Sequence, residues 1–207
     1  MGPLRTGFRY GLVAVVVALV ADLRFLIVDP EVIPNWILTS IENFRTQLAL
    51  AAFLFLGILA ALRVRPTRID PGVPYRSLLL RDGALAAAVV AVMAGLTLFV
   101  VTALNATLFA GDIRNYASDA APHMVAYYEK VAGRLSDPPP LSTVEQTEER
   151  LQPPVLRDLG RSMANLVLRA ILIGAVGSIV GALRGGSRDT ARENDPRLSG
   201  NGKSPEG

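Results

Sequence analysis

The sequence predicts an all-α integral membrane protein: a four-helix bundle with interfacial amphipathic helices in its third, extracytoplasmic loop. Three observations carry that expectation. Apolar residues make up 51% of the 207, and they gather into four blocks instead of spreading evenly. Each block approaches the roughly 20 residues a helix needs to cross the hydrocarbon core. Arginine density between the blocks runs basic, poor, basic, mixed, basic, as four spans with both termini in the cytoplasm require.

Residues 1–9 are read as a cytoplasmic N-terminus carrying Arg5 and Arg9, followed by a first span over 10–28 that Asp22 and Arg24 interrupt. Residues 29–45 form an outer loop with a short interfacial helix around Trp36, a residue favoured at the membrane boundary. Its only arginine is Arg45, against Asp29, Glu31 and Glu42. The second span, 46–62, has no charge. Residues 63–83 are a basic cytoplasmic loop with Arg63, Arg65, Arg68, Arg76 and Arg81, broken by Pro66, Pro71, Gly72 and Pro74. Its arginines are read as setting topology, with contact to anionic lipid as the alternative.

The third span covers 84–108, long enough to cross with some tilt. In the extracytoplasmic loop 109–162, Met124, Tyr128, Val131 and Leu135 recur at helical spacing and predict an amphipathic helix from Pro122 to Gly133. The run SDPPPLST then breaks the chain. A second helix is expected from Ser142, whose S-x-x-E pattern with Glu145 is a capping box, and Pro153 and Pro154 end it. The fourth span, 163–183, is interrupted by Arg169. The tail 184–207 is polar, with Arg184, Arg188, Arg192 and Arg197, and is expected to be disordered and cytoplasmic. Residues 1–21 also fit a cleaved secretory leader. The resumption of the apolar pattern as FLIV after Arg24 favours an uncleaved anchor.

Composition narrows the chemistry. Cysteine is absent, which excludes disulfides, thiolate metal sites and thiol catalysis. Histidine occurs once, so no histidine relay or His-rich metal site forms. His123 with Asp119 and Glu129 reads as solvated loop residues, and Tyr127 and Tyr128 as interface anchors. No G-x-S-x-G, H-E-x-x-H or P-loop pattern appears. Neither a catalytic residue, a cofactor nor a metal is therefore expected. The basic residues cluster at the ends of apolar blocks, unlike a nucleic-acid footprint. The expected partners are the lipid bilayer and another membrane protein or a second copy of the chain.

Charged groups inside a span are costly and mark either packing or function. Asp22 shares a stripe with Gly11, Ala14 and Ala18, and small residues let a second helix approach. Arg24, about 200° round the same helix, is expected to point away and snorkel outward. In the third span Ala84, Ala87, Ala91 and Gly95 form a small stripe that continues as Thr102 and Asn105. In the fourth, Ser162, Asn165 and Arg169 share one face, while Gly174, Gly177, Ser178 and Gly181 form a small face nearer the cytoplasm. The expectation is a buried polar cluster in the outer leaflet, with Asp22 and Arg169 as an ion pair near Asn165, Thr102 and Asn105.

Four spans, a long helical third loop and a last span ending G-S-I-V-G-A-L-R resemble a family of small bacterial four-helix membrane proteins described as a domain of unknown function. The likeness runs from about Arg5 to Arg184 and implies no activity for any residue. Composition rich in arginine, alanine and valine points to a GC-rich bacterial genome and hence to the inner membrane. The functional expectation is a non-enzymatic scaffold or accessory subunit. The alternative is a small transporter or channel subunit using the outward polar cluster.

Overall fold

A computed structural model of the chain describes residues 2–65, 74–136 and 140–193. The described residues form six α-helices and a 3-10 turn, with no strand. The helices are α1 (Pro3–Asp22), α2 (Asn35–Arg63), α3 (Tyr75–Thr107), α4 (Ala110–Ala132), α5 (Val144–Leu151) and α6 (Asp158–Glu193), and the turn is Arg24–Leu26. Four helices are long and apolar enough to cross a membrane: Pro3–Asp22, Asn35–Arg63, Tyr75–Thr107 and Asp158–Ser187. Only 22 to 39% of their most apolar stretches is buried within the protein. Val16, Val20, Leu48, Phe55, Val100, Ile171, Ile179 and Leu183 all stand more than half exposed.

The boundaries depart from the expected ones for identifiable reasons. α1 begins at Pro3, where a missing N–H costs nothing, and stops at Asp22 instead of continuing to Val28. Leu23 leaves helical geometry at φ −97° and ψ 19°, and the FLIV stretch becomes the 3-10 turn and the loop after it. α2 absorbs the expected interfacial helix, because from Asn35 to Arg63 there is no proline and only one glycine, Gly57. α3 starts after Pro74, so Arg76 and Arg81 lie on a helix instead of in a loop. The Pro66, Arg68, Pro71 and Gly72 portion of the expected connector lies outside the described residues.

α4 is longer than the expected amphipathic helix. Its buried face begins at Ile113 and Tyr116 and passes through Pro122 without breaking. The capping box of α5 is shifted by one residue. Thr143, not Ser142, is the N-cap, accepting from the Gln146 N–H while the Gln146 side chain accepts from the Thr143 N–H. α6 runs through the expected start of the disordered tail to Glu193, and residues 194–207 lie outside the described part.

The chain divides into two compact units. One comprises Met1–Val15, Ala52–Gly95 and Leu166–Gly207, the other Val16–Ala51 and Leu96–Asn165. The first is packed on small residues. A Cβ on Gly83 would sit 2.8 Å from the Gly177 carbonyl oxygen, and one on Gly177 would meet Ala87 and the Gly83 backbone. One on Gly181 would strike the Leu79 carbonyl. α3 and α6 therefore approach backbone to backbone there. Arg184 donates to the carbonyls of Leu62 and Val64, satisfying acceptors that the end of α2 leaves without helical partners.

In the second unit a core of Leu38, Tyr116, Ala120 and Met124 joins α2 to α4, with Phe25, Val28, Ile33, Tyr128 and Leu151 packed against it. Phe25 and Phe109 meet with ring centroids 5.7 Å apart.

Candidate functional site: a closed arginine–glutamate–tyrosine cluster

The second unit contains a buried ion pair that α1, α2 and α4 assemble. Where α1 unwinds, the 3-10 turn carries Arg24 inward. Glu42 lies one helical turn beyond Leu38 in the uninterrupted α2, and so faces the same core. Tyr116 comes from the buried face of α4, four residues before Ala120. Arg24 donates through Nε to Glu42 Oε1 at 2.5 Å and through Nη2 to Oε2 at 2.6 Å. The Tyr116 hydroxyl donates to Glu42 Oε1 at 2.8 Å. The Arg24 guanidinium carbon also lies 5.8 Å from the Tyr116 ring centroid, within cation–π range.

The pair is largely withdrawn from solvent, with side-chain exposures of 11% for Arg24 and 2% for Glu42. Charge-assisted, bidentate geometry of this kind is the strong form of the interaction, and it is required where the ions have lost their water. Burial pushes the Tyr116 phenol above its ordinary range. The Glu42 charge and hydrogen bond push the same way, partly opposed by Arg24 and Arg45.

A polar ring continues around this core. Asn43 and Tyr128 exchange hydrogen bonds at 2.9 and 3.1 Å, and Arg150 of α5 reaches Asn43 at 3.4 Å. His123 Nδ1 lies 3.2 Å from Asn35 Oδ1. Each contact ties the start of α2 to α4 or α5. Among the described residues, no group of three or more His, Cys, Asp or Glu side chains gathers as metal ligands would.

Arg24 does not snorkel. The helix on which its direction was reckoned has already ended, and the side chain is buried on Glu42. Asp22 is the half-buried last residue of α1, and Arg169 is half-buried on α6. The Thr102 hydroxyl donates to the Leu98 carbonyl of its own helix at 2.8 Å. Asn105 is 7% exposed, with its Oδ1 lacking a hydrogen-bond partner. Asn165 is exposed on α6.

The small residues are largely at close contacts. Ala14, Ala18 and Ala87 are fully buried and Ala91 is 2% exposed. Gly11 faces Met93, and a Cβ on Gly95 would come 2.6 Å from Leu166 Cγ. Gly174 faces Ala88 in ordinary contact. The Ser178 hydroxyl donates to the Gly174 carbonyl.

Glu42 is the residue that sequence reasoning missed, taken as an ordinary loop acid. Its signal was present in the lack of any helix breaker from Asn35 onward, which extends the Leu38 face to position 42. Tyr116 had a comparable signal in the four-residue spacing Tyr116, Ala120, Met124. Comparison with known proteins brings no counterpart: no family model, curated protein or solved structure matches this chain.

Proposed function

We propose that the chain is a multi-pass protein of the bacterial inner membrane, with both termini in the cytoplasm, acting without catalysis as a scaffold or accessory subunit. The observation that carries this reading is the closure of the Arg24–Glu42–Tyr116 cluster. Both carboxylate oxygens of Glu42 already accept, three hydrogen bonds in all, and the side chain is 2% exposed, which favours a structural role for the acid over substrate binding. A buried pair of this kind specifies which segments become neighbours, because either charge left alone is expensive. The exposed apolar faces of the four long helices supply surface for lipid and for other helices.

The orientation rests on arginine counts. Burial of Arg24 on Glu42 leaves Arg45 as the remaining arginine of the first outer loop, against Arg5 and Arg9 at the N-terminus and Arg184 near the end of the last span, while the longer loop 109–162 is mixed in charge. The test is crosslinking in intact membranes followed by sizing in mild detergent. A discrete homo-oligomer or a stoichiometric partner is the expected product. A monomer that captures nothing would count against the scaffold role.

The transporter or channel reading draws on one observation, the buried Asn105 Oδ1 without a hydrogen bond. An amide of that kind can accept from a passing solute or water. Flux into proteoliposomes that Asn105→Leu removes would favour it over the scaffold.

A further inference from the structure

In the second unit, the end of α1, the turn after it and the middle of α2 border an open apolar groove of about 430 Å3. Val16, Val20, Ile41 and Leu48 are among its walls, and its only charged lining residues are Arg24 and Arg45. Arg24 is spent on Glu42. Arg45 is half-buried and makes no hydrogen bond or ion pair among the described residues.

On its other side Arg45 lines a second, polar cavity of about 210 Å3, together with Thr46, Gln47, Thr147 and Arg150. Glu42 borders this cavity too, but Arg24 and Tyr116 already occupy its oxygens. Arg24 repels Arg45, while Glu42 and, from the end of α1, Asp22 attract it. Among the residues lining the two, three arginines (24, 45 and 150) stand against one carboxylate (42), with Asp22 outside both linings, which leaves a positive surplus around Arg45, the arginine common to both.

We propose that this paired groove and cavity is a binding site for an anionic glycerophospholipid, with an acyl chain along Val16, Val20, Ile41 and Leu48 and the phosphate between Arg45 and Arg150. The two halves of the site match the two halves of that molecule. Aliphatic walls within two membrane-length helices select hydrocarbon and would gain nothing from a free anion. Guanidinium groups bind phosphate by charge-assisted hydrogen bonds, and a groove of this volume falls within the ordinary ligand range of roughly 300–1,000 Å3. The inference rests on the membrane reading above, and its test separates the two.

The chain contains a single tryptophan, Trp36, so Trp36→Phe with Leu48→Trp places one fluorophore on the groove wall. The protein is reconstituted in phosphatidylcholine vesicles, and dibrominated phosphatidylglycerol or dibrominated phosphatidylcholine is titrated in as quencher. Half-quenching is expected at a mole fraction of phosphatidylglycerol about five-fold lower, the scale of one arginine near an anionic surface. Arg45→Gln should bring the two lipids to parity, and Arg45→Lys should retain most of the preference. Arg150→Gln, a change at an exposed side chain that also releases Asn43, should weaken the preference while the helical circular dichroism of the protein stays unchanged. Inorganic phosphate added to the buffer should displace nothing.

Equal quenching by both lipids in the parent protein would overturn the proposal, as would a preference that both arginine changes leave intact. Displacement by inorganic phosphate would show an anion site and not a lipid site. Alkaline carbonate washing supplies the separating arm. A chain that stays in the membrane without lipid preference refutes the lipid site alone, while one released into the supernatant refutes the membrane reading with it.

Discussion

Removing one member of the Arg24–Glu42 pair should cost far more than removing both. Arg24→Leu leaves a carboxylate 2% exposed, with the Tyr116 hydroxyl as its one remaining donor among the described residues. Glu42→Leu leaves a guanidinium in the same apolar setting, next to a phenol that has lost its acceptor. Each single change should destabilise by about 3–5 kcal/mol, the cost of an uncompensated buried charge. The double change Arg24→Leu with Glu42→Leu removes both ions and strands only the Tyr116 hydroxyl, for about 1–3 kcal/mol. The double variant is therefore expected to be more stable than either single one.

The assay is denaturant unfolding of the detergent-solubilised protein, followed by circular dichroism, for the four members of the cycle. A coupling energy of several kcal/mol is expected, opposite in sign to the single costs. If the two single effects add to within about 0.5 kcal/mol, the side chains behave as independent sites, and the closed cluster plays no part in stability.

Other expectations follow from particular contacts. Gly181→Ala should destabilise by about 1–3 kcal/mol, because the new Cβ meets the Leu79 carbonyl. Gly174→Ala, whose Cβ would stand 3.7 Å from that of Ala88, should be neutral or stabilising by up to about 1 kcal/mol through helix propensity; equal losses at both in thermal unfolding would refute the seam. The raised Tyr116 pKa favours folding fully below its ordinary value of 10.0, and this contribution is lost as pH rises through the folded-state value. The difference absorbance at 295 nm between wild type and Tyr116→Phe should show this phenolate forming only well above pH 10, and a midpoint at the ordinary value would refute its burial on Glu42. Thr143→Ala should cost about 1 kcal/mol, read as faster hydrogen exchange at the Gln146 amide, whereas Ser142→Ala should change little. Asn105→Leu should be neutral or stabilising, since it removes a buried oxygen that has no partner; a clear loss of stability would mean that the oxygen has one.

Periodicity and length made the four membrane-length helices legible, since each carries its own signal along a single segment. Ends were less legible where two local rules competed. The FLIV stretch is apolar enough to extend the first span, yet α1 stops at Asp22 and the stretch packs Phe25 and Val28 onto the core instead. Once the helix ends, angular reckoning from Asp22 to Arg24 has no meaning, and the snorkelling expectation failed for that reason. The Glu42 partnership was hidden for a different one. Its members come from three segments separated by 18 and 74 residues, and no local pattern announces which buried acid will meet which arginine. The capping box was visible in composition but ambiguous in register, because serine and threonine stand side by side and an acid and an amide follow at the matching positions.

The two compact units rely on different chemistry to choose helix neighbours. In the first, Gly83, Gly177 and Gly181 place backbone against backbone, so the specifying quantity is volume, and a single methyl group is the sharpest perturbation. In the second, Glu42 gathers three hydrogen bonds from two other segments, so the specifying quantity is charge. Dispersion contacts between small residues tolerate lipid on every other side and need no polar partner. A carboxylate tolerates no such surroundings and must be enclosed by its donors. It follows that an isosteric, charge-removing change such as Glu42→Gln should leave the glycine seam untouched while loosening α4 from α2. Conversely, Gly83→Ala should disturb α3 and α6 without altering the ultraviolet titration of Tyr116. If either change moved both readouts together, the separate division of labour assigned to the two units would be wrong.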